Sequence, residues 1–321
     1  MFDTLGQDET KKLFNISLKS HKIAHSYLIE GEEGLGKMNM AKYIAASLLC
    51  KSGNNGACGN CINCKKINEL IHPDLKVIDE KTIKIDNIRD SIDEVYKKPY
   101  EGDRKVLIIK NFDTATVESQ NAILKTLEEP PSTATIILLA KDTLSILDTI
   151  KSRCQIIKMF RVHPLLVKER LISEGIDDTK AEAAAIYSEG NIGVARKACK
   201  AEFTTLRNEI FNMAIDVFKI SKFEALKYGE KLTKYKDEID DVLNIFTSVY
   251  RDIIFLKLGQ GNNRLVNRDK MEILVEESYR LSYNKLDKSL NIIKDTRNSL
   301  KRDTNFQLTM EVMILGIQEA K

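Results

Sequence analysis

Four cysteines in one short segment are the side chains whose types and spacing most directly suggest chemistry. The segment reads Cys50-x7-Cys58-x2-Cys61-x2-Cys64, which places four thiols within residues 50–64. Structural Zn²⁺ binds four cysteine sulfurs in a tetrahedron, and a site closed in this way leaves no position for a reacting water. The alternatives are unrelated thiols or a Cys61-x-x-Cys64 redox pair. The two-residue spacings and the Gly/Asn loop favour a structural zinc module over both.

A second candidate site is the glycine-rich stretch Gly31-Glu-Glu-Gly34-Leu-Gly36-Lys37-Met38, which lies between a strand-like run and a helix-like run. In a P-loop, glycines let backbone N–H groups wrap a phosphate, and the lysine reaches the outer phosphates. The last position should carry Ser or Thr, because its hydroxyl ligates Mg²⁺, and the thioether of Met38 cannot do this for a hard cation. Two interpretations stay open, a phosphate loop that has lost catalysis and a glycine-rich turn that joins strand and helix.

The end of a later apolar strand bears on the same question. Residues 105–109 are continuously apolar after Lys105, and Lys110-Asn111-Phe-Asp113 follows them. In P-loop ATPases a strand end supplies an acid that holds Mg²⁺ and often a glutamate that orients water. Lys110 and Asn111 stand at those positions. Asp113 lies beyond the strand, where we expect it to cap the following helix.

An alternating series of strands and helices must position these residues. Strand-like runs are predicted at residues 24–30, 75–79, 105–109, 135–139 and 154–159, and helical patterns separate them. This alternation predicts an α/β module with a parallel five-stranded sheet, whose ligands lie at the carboxyl ends of the strands. A helix is predicted over residues 114–129, where Pro130-Pro131 stops it. From Pro164 onward only helical patterns follow, so the rest of the chain is expected to be all-helical.

Composition excludes several broad classes of protein. The chain has 321 residues, 43% hydrophobic and 30% charged, which is an ordinary balance for two or three folded domains. The formal net charge of +3 is too small to argue for nucleic-acid binding by itself. No apolar run approaches the ~18–20 residues of a membrane span, so no membrane partner is expected. The polar, acidic N-terminus predicts no signal peptide, and a cytoplasmic location is expected.

Several motifs resemble subunits of the bacterial replicative clamp loader, the AAA+ assembly that opens the ring-shaped sliding clamp and places it on primed DNA. The most specific are Asn-Ala-Ile-Leu-Lys-Thr-Leu-Glu-Glu-Pro-Pro at residues 121–131 and Ser152-Arg153-Cys154. The four-cysteine insert resembles the same family, as do the stretches at residues 24–28, 72–74, 250–259 and 305–308. The resemblance covers essentially the whole chain. It implies an AAA+ domain at residues 1–162, a small helical lid at 163–201 and a helical collar domain at 202–321.

Three positions depart from the ATP-hydrolysing tau/gamma subunits of that family. The resemblance implies Thr at the position of Met38, Asp-Glu at Lys110 and Asn111, and a phosphate-sensing Arg at Gly193. Three separate losses indicate a subunit type that has no ATPase activity of its own, although it serves a DNA-directed DNA polymerase. The alternatives are an active tau/gamma-type ATPase and a zinc-dependent nucleic-acid-binding module outside any clamp loader.

The resemblance also implies a role for Arg153 in a neighbouring subunit. In the family, the arginine of Ser-Arg-Cys reaches across the interface into a neighbour's ATP site and stabilises charge on the transferring γ-phosphate. From the short motif alone, a surface arginine is an equally good interpretation. The implied partners are the tau/gamma and delta subunits of a hetero-pentamer, the sliding clamp and, through the assembly, primed DNA. The implied cofactor is structural Zn²⁺, with ATP and Mg²⁺ not hydrolysed by this chain.

Overall fold

The structure, a computed structural model, describes residues 2–52, 56–259, 265–300, 302 and 304–320. Residues 53–55 of the predicted zinc module and residues 1, 260–264, 301, 303 and 321 of the predicted domains lie outside the described residues. The chain divides into a first unit, Met1–Leu166 with Asn191–Gly193, and a second unit, Val167–Gly190 with Val194–Lys321. The three-domain division at residues 1–162, 163–201 and 202–321 stays a prediction.

The first unit is built on a parallel five-stranded sheet, as the alternation of strands and helices predicts. Its strands are β1 Ser26–Glu30, β2 Leu75–Ile78, β3 Lys105–Ile109, β4 Ala134–Ala140 and β5 Gln155–Lys158. They are arranged in the order β2-β3-β4-β1-β5, and every neighbouring pair is parallel. Because β1 lies between β4 and β5, the residues that follow it stand at the carboxyl edge of the sheet, after an interior strand.

Helices cover both faces of this sheet. They are α1 Asp8–Lys19, α2 Lys37–Leu49, α3 Ile62–Asn68, α4 Ile85–Tyr96, α5 Val117–Glu128 and α6 Asp148–Lys151. Successive strand residues point to opposite faces. Ile29 of β1 therefore belongs to the apolar cluster that includes α2, whereas Leu28 belongs to the cluster that includes α4 and α5. Burial on both faces explains why β3 and β4 are almost continuously apolar.

The start of α5 differs from the sequence prediction. Asp113 lies in a 3₁₀ turn at Phe112–Thr114, and its carboxylate accepts a hydrogen bond from Lys141 N at 3.2 Å. The helix begins at Val117, and the cap is Thr116, whose hydroxyl accepts from Ser119 N at 3.2 Å. An N-cap needs extended backbone angles, and Thr116 has them, with φ −64° and ψ 159°. The expectation that Asp113 caps the helix is therefore wrong.

The second unit is helical, as predicted, and its described residues contain no strand. The helices that follow the sheet along the chain are α7 Pro164–Ser173, α8 Asp178–Tyr187, α9 Ile192–Ala198, α10 Ala201–Asp216, α11 Lys222–Lys231, α12 Ile239–Lys257, α13 Met271–Arg280, α14 Tyr283–Leu300 and α15 Phe306–Glu319. One apolar cluster, with fully buried members such as Phe246 and Ile314, joins α10 to α15. Among the described residues, no helix is both long enough and apolar enough to cross a membrane.

A buried carboxylate fixes the loop that leads into β3. Asp74, only 2% exposed, accepts hydrogen bonds from the backbone N–H groups of Tyr100, Glu101 and Gly102 at 2.6, 2.8 and 3.0 Å. The ring Nδ1 of His72 in turn accepts from Asp74 N at 3.1 Å. Burial by itself raises the pKa of Asp74, but the three donors outweigh burial and hold that pKa below its ordinary value.

We predict that Asp74→Ala destabilises the first unit by about 2–3 kcal/mol, because it leaves three backbone donors without their charged acceptor. The folded pKa of Asp74 is lowered, so its stabilisation is present above the unfolded pKa and is lost as the pH falls through the folded one. Urea unfolding at pH 7 and at acidic pH measures both effects. The exposed Asp90 on α4 gives the matched control Asp90→Ala, and equal stability of the two variants would contradict the prediction.

Candidate functional site: a cysteine cluster, a P-loop and an exposed arginine

The four predicted zinc ligands come together between the end of α2 and the start of α3. All four Sγ atoms lie within 4.8 Å of one another, with Cys50 and Cys61 3.7 Å apart and Cys58 and Cys64 3.9 Å apart. Sulfurs bound to one tetrahedral Zn²⁺ at ~2.3 Å lie about 3.8 Å from each other. The donor set therefore fits a single tetrahedral zinc ion. The described residues contain no second group of three or more metal-ligating side chains with this proximity.

Backbone donors at the start of α3 favour sulfur anions at this cluster. Cys58 Sγ accepts from Cys61 N, and Cys61 Sγ accepts from Cys64 N, each at 3.4 Å. The N–H of Cys61 is the largest cause that lowers the pKa of Cys58 to about 6, whereas burial raises the pKa of Cys64 and of Cys50. A bound divalent cation deprotonates its coordinating thiols outright, so it would offset the burial of Cys64 and Cys50.

Two contacts attach the cysteine segment to α2. The buried Asn63 donates from Nδ2 to Leu49 O at 2.8 Å, and Ala57 N donates to Ser47 Oγ at 2.9 Å. These bonds hold both ends of the cluster against the helix that begins at the P-loop. The metal would therefore fasten a loop to an existing helix.

The glycine-rich stretch has the geometry of a P-loop between β1 and α2. Gly34 and Gly36 have φ of +90° and +88°, values that residues with a Cβ rarely adopt. Helix α2 begins directly after them, at Lys37. The Lys37 ammonium is directed back at the loop, where it donates to Gly31 O at 2.5 Å and to Glu32 O at 2.9 Å. The lysine is thus bonded to carbonyl oxygens of its own loop.

A short segment from later in the chain lies on the P-loop and belongs to the same unit. Asn191, 2% exposed, donates from Nδ2 to Glu33 O at 2.7 Å, and Gly193 N donates to Gly34 O at 3.0 Å. A Cβ added to Gly193 would lie 2.4 Å from Gly34 Cα, so no side chain fits at this position without moving the loop. Gly193 is the position at which the resemblance implies a phosphate-sensing arginine.

The other positions at which the resemblance implies hydrolytic side chains also have structural contacts. Lys110 Nζ pairs with Asp79 Oδ2 at 2.6 Å, and Asn111 Nδ2 donates to Glu80 O at 3.0 Å. Both contacts join the end of β3 to the end of β2, which lies on the side of β3 away from β1. Met38 is half-buried and packs against the apolar cluster that includes α2.

The charges around Lys37 include one acid to which sequence reasoning assigned another role. Burial lowers the pKa of the Lys37 ammonium, and Asp113 and Glu33 act in the opposite direction. Asp113, expected as a helix cap, is thus the acid that acts most strongly on this lysine. On the other side of the loop, Arg161 binds the Glu32 carboxylate with contacts of 2.7 to 3.2 Å. Of the cations beside this loop, Arg161 is paired with a carboxylate, and Lys37 is bonded to backbone carbonyls.

Arg153 lies in the turn between α6 and β5, with its side chain one-third exposed. One terminal nitrogen donates to Thr149 O at 2.8 Å and to Ser152 Oγ at 3.3 Å, and the other pairs with Glu128 Oε1 at 2.9 Å. The backbone of the turn is fixed as well, because the buried Ser26 hydroxyl of β1 donates to Arg153 O at 2.7 Å.

Cys154 has no features of a nucleophile. Burial raises the pKa of its thiol, which also contacts the Ser26 hydroxyl. A neutral, half-buried thiol is a poor nucleophile, so Cys154 is not a candidate for covalent chemistry.

The strand register places Arg153 and the P-loop at opposite edges of the sheet. Tyr27 of β1 pairs with Gln155 of β5, so Arg153 is level with His25, at the amino end of β1. The P-loop begins at Gly31, six residues further on, which at ~3.3 Å per residue is about 20 Å. An arginine side chain does not span that distance, so Arg153 cannot serve the P-loop of its own chain.

Sequence reasoning missed three residues that the structure brings into these sites: Glu128, Asn191 and Ser26. Glu128 and Ser26 lie inside stretches quoted above for the resemblance, but no spacing rule pairs them with a residue 25 or more positions away. One signal was available for Glu128. A carboxylate in the last turn of a helix is disfavoured by the helix dipole, so an acid at that place calls for a cationic partner.

Comparisons with known proteins cover both halves of the chain. The family described as DNA polymerase III, delta subunit, matches residues 6–163, and the family described as DNA polymerase III, delta subunit, C terminal, matches residues 201–319. DNA polymerase III subunit delta' of Bacillus subtilis is 26% identical over 319 residues, which are 98% of this chain and 96% of the relative. The subunit delta' of Pseudomonas aeruginosa is 38% identical over 136 residues, 41% of this chain and 42% of that one.

Similarity also extends to other subunits of the same polymerase. DNA polymerase III subunit gamma of Buchnera aphidicola is 28% identical over an alignment of 337 positions, gaps included. The alignment covers 99% of this chain and 90% of the relative. The crystal structure of a gamma-subunit-related protein of Thermotoga maritima matches 99% of both chains at 20% identity, with a TM-score of 0.48. The delta families match both halves of the chain, and a relative named delta' extends over nearly all of it. The chain belongs to the family of delta-prime clamp-loader subunits of DNA polymerase III.

Proposed function

We propose that this chain is a non-hydrolysing stator subunit of the clamp loader and that it supplies Arg153 in trans to a neighbouring ATPase subunit. Its partners are then the tau/gamma and delta subunits in a hetero-pentamer that loads the sliding clamp onto primed DNA. Residues 1–162 would form the AAA+ domain, residues 163–201 the lid and residues 202–321 the collar that joins the other subunits.

The contact of Gly193 with Gly34 carries the non-hydrolysing half of the proposal. A phosphate-sensing arginine at residue 193 would need space beside the P-loop, and an added Cβ already comes within 2.4 Å of Gly34 Cα. Met38 offers no hydroxyl for Mg²⁺. Lys110, which stands at the position of a catalytic acid, is a cation already paired with Asp79.

The opposite placement of Arg153 and the P-loop supports the trans-acting half. An arginine finger must lie where a neighbour's γ-phosphate can reach it, and a partly exposed guanidinium at the far edge of the sheet meets that need. The planar, permanently charged guanidinium binds phosphate oxygens in pairs. A lysine would not replace it.

An active tau/gamma-type ATPase is the alternative, since subunits of that name are among the relatives. The relation to them follows from the shared fold and does not require shared chemistry. The contacts of Gly193, Lys110 and Met38 count against hydrolysis. Lys110 and Met38 already have structural partners, and the space beside Gly193 is filled by the P-loop backbone.

We also propose that Cys50, Cys58, Cys61 and Cys64 hold one structural Zn²⁺. The sulfur separations of 3.7 and 3.9 Å match a tetrahedral site, and all four ligand positions are taken by protein. The ion would fasten residues 58–64 to the end of α2. It would take no part in a reaction.

We expect no ATP turnover by the purified chain, and none by Met38→Thr. The substitution restores a hydroxyl for Mg²⁺ but leaves Lys110, Asn111 and the contact at Gly193 unchanged, so several requirements of hydrolysis are still unmet. Phosphate release, with a tau/gamma subunit as positive control, measures this. Turnover by the wild-type chain at a rate comparable to that control would refute the stator proposal.

Metal analysis of the purified protein should find one zinc per chain, and Cys61→Ser should lose it, because a tetrahedral site with three thiolates binds zinc far more weakly. Cys199→Ser is the matched control, since Cys199 is a half-buried cysteine outside the cluster. If protein purified under reducing conditions contains no bound metal, the zinc proposal is wrong.

In the complex reconstituted with tau/gamma and delta subunits, Arg153→Ala should slow ATP hydrolysis at the neighbouring site, by up to ~10³–10⁵-fold for an arginine finger. Assembly, followed by size-exclusion chromatography, should be unchanged. The exposed Arg89 on α4 provides the control Arg89→Ala. If both variants hydrolyse ATP at the wild-type rate, Arg153 has no finger role.

A further inference from the structure

The ion pair between Glu128 and Arg153 connects two motifs that lie far apart in the sequence. Glu128 is the last residue of α5, and Arg153 precedes β5, yet the Arg153 guanidinium lies 2.9 Å from Glu128 Oε1. We propose that Glu128 is a positioning residue, which holds the Arg153 side chain in one orientation before a neighbouring subunit's ATP arrives. The proposal rests on the arginine-finger role of Arg153.

The surroundings of Glu128 indicate that it is placed to bind a cation. A carboxylate at the last residue of a helix faces the negative end of the helix dipole, which disfavours it. The guanidinium of Arg153 offsets this cost. Pro130 and Pro131 come after the C-cap residue Glu129 and prevent the helix from continuing, so Glu128 remains its last residue.

Arg153 is held at both its backbone and its side chain. Ser26 fixes the peptide, and Thr149, Ser152 and Glu128 bind the two terminal nitrogens of the guanidinium. A guanidinium has five N–H donors, so these three contacts leave donors for phosphate oxygens. An arginine has many rotamers when free, and selecting one of them in advance removes part of the ordering cost at the moment of catalysis.

Glu129 is a natural control for this role. It is the same residue type at the next position, it is exposed, and it has no ion-pair partner among the described residues. A general effect of removing negative charge at the end of α5 would act through both glutamates. A positioning effect would act through Glu128 alone.

The test measures kcat and KM for ATP hydrolysis by the reconstituted complex. Glu128→Ala should lower kcat by about threefold to fivefold, the coupling expected of an exposed ion pair, with KM unchanged because the neighbour's own residues bind ATP. Glu128→Gln, which keeps one acceptor oxygen, should recover part of the loss. Glu129→Ala should behave as wild type.

The double variant separates positioning from a structural role. Glu128→Ala should have no further effect when Arg153→Ala is already present, because there is then no guanidinium to orient. An equal loss in both backgrounds would overturn the positioning role. The positioning role would also be overturned if Glu128→Ala had a wild-type or higher kcat while Arg153→Ala was slow. If Arg153→Ala is itself as fast as wild type, the arginine-finger proposal fails and the role of Glu128 fails with it.

Discussion

The direction of the parallel strands is the constraint on which the two functional ends of the first unit depend. All five strands run the same way, so every loop after a strand lies at one edge and every loop before a strand lies at the other. The P-loop follows β1, and Arg153 precedes β5, which puts about 20 Å of sheet between them. A chain with this topology cannot bring its own arginine to its own phosphate loop. An ATP site that used both a P-loop and an arginine in this turn would therefore need two chains.

Each position at which the resemblance implies a catalytic side chain has a packing or hydrogen-bond contact in this chain. Met38 packs into the apolar cluster, Lys110 and Asn111 tie β3 to β2, and Gly193 touches Gly34. The position of Gly193 differs from the others, because the contact there joins backbone atoms of residues 193 and 34. No flexible side chain could move aside to make room. Restoring a polar side chain at residue 38 changes only a half-buried side chain. Restoring an arginine at residue 193 would require the P-loop itself to move.

The elements that sequence predicts well are those whose signal is local. Continuous apolar runs predict the ends of β3 and β4 to within one residue. The spacing of the cysteines predicts the cluster of four sulfurs that the structure shows. Non-local contacts were not predictable in this way. The partner of Arg153 is 25 positions earlier, and the segment that contacts the P-loop is more than 150 positions later. The prediction for Asp113 is wrong because residues 112–114 form a separate 3₁₀ turn, and α5 begins only after the extended residue Thr116.

Some of the motifs that resemble the family make contacts that stabilise the fold, and these motifs alone say little about catalysis. In the Tyr-Arg-Asp stretch of α12, Tyr250 donates to Ala214 O at 3.1 Å, and the buried Asp252 accepts from Asn267 N at 2.7 Å. Asp74 has the same kind of task ahead of β2. Such contacts stabilise this fold whether or not the chain hydrolyses ATP. Family membership does not by itself decide hydrolysis, and the proposed absence of ATP turnover rests on the departures at Met38, Lys110 and Gly193.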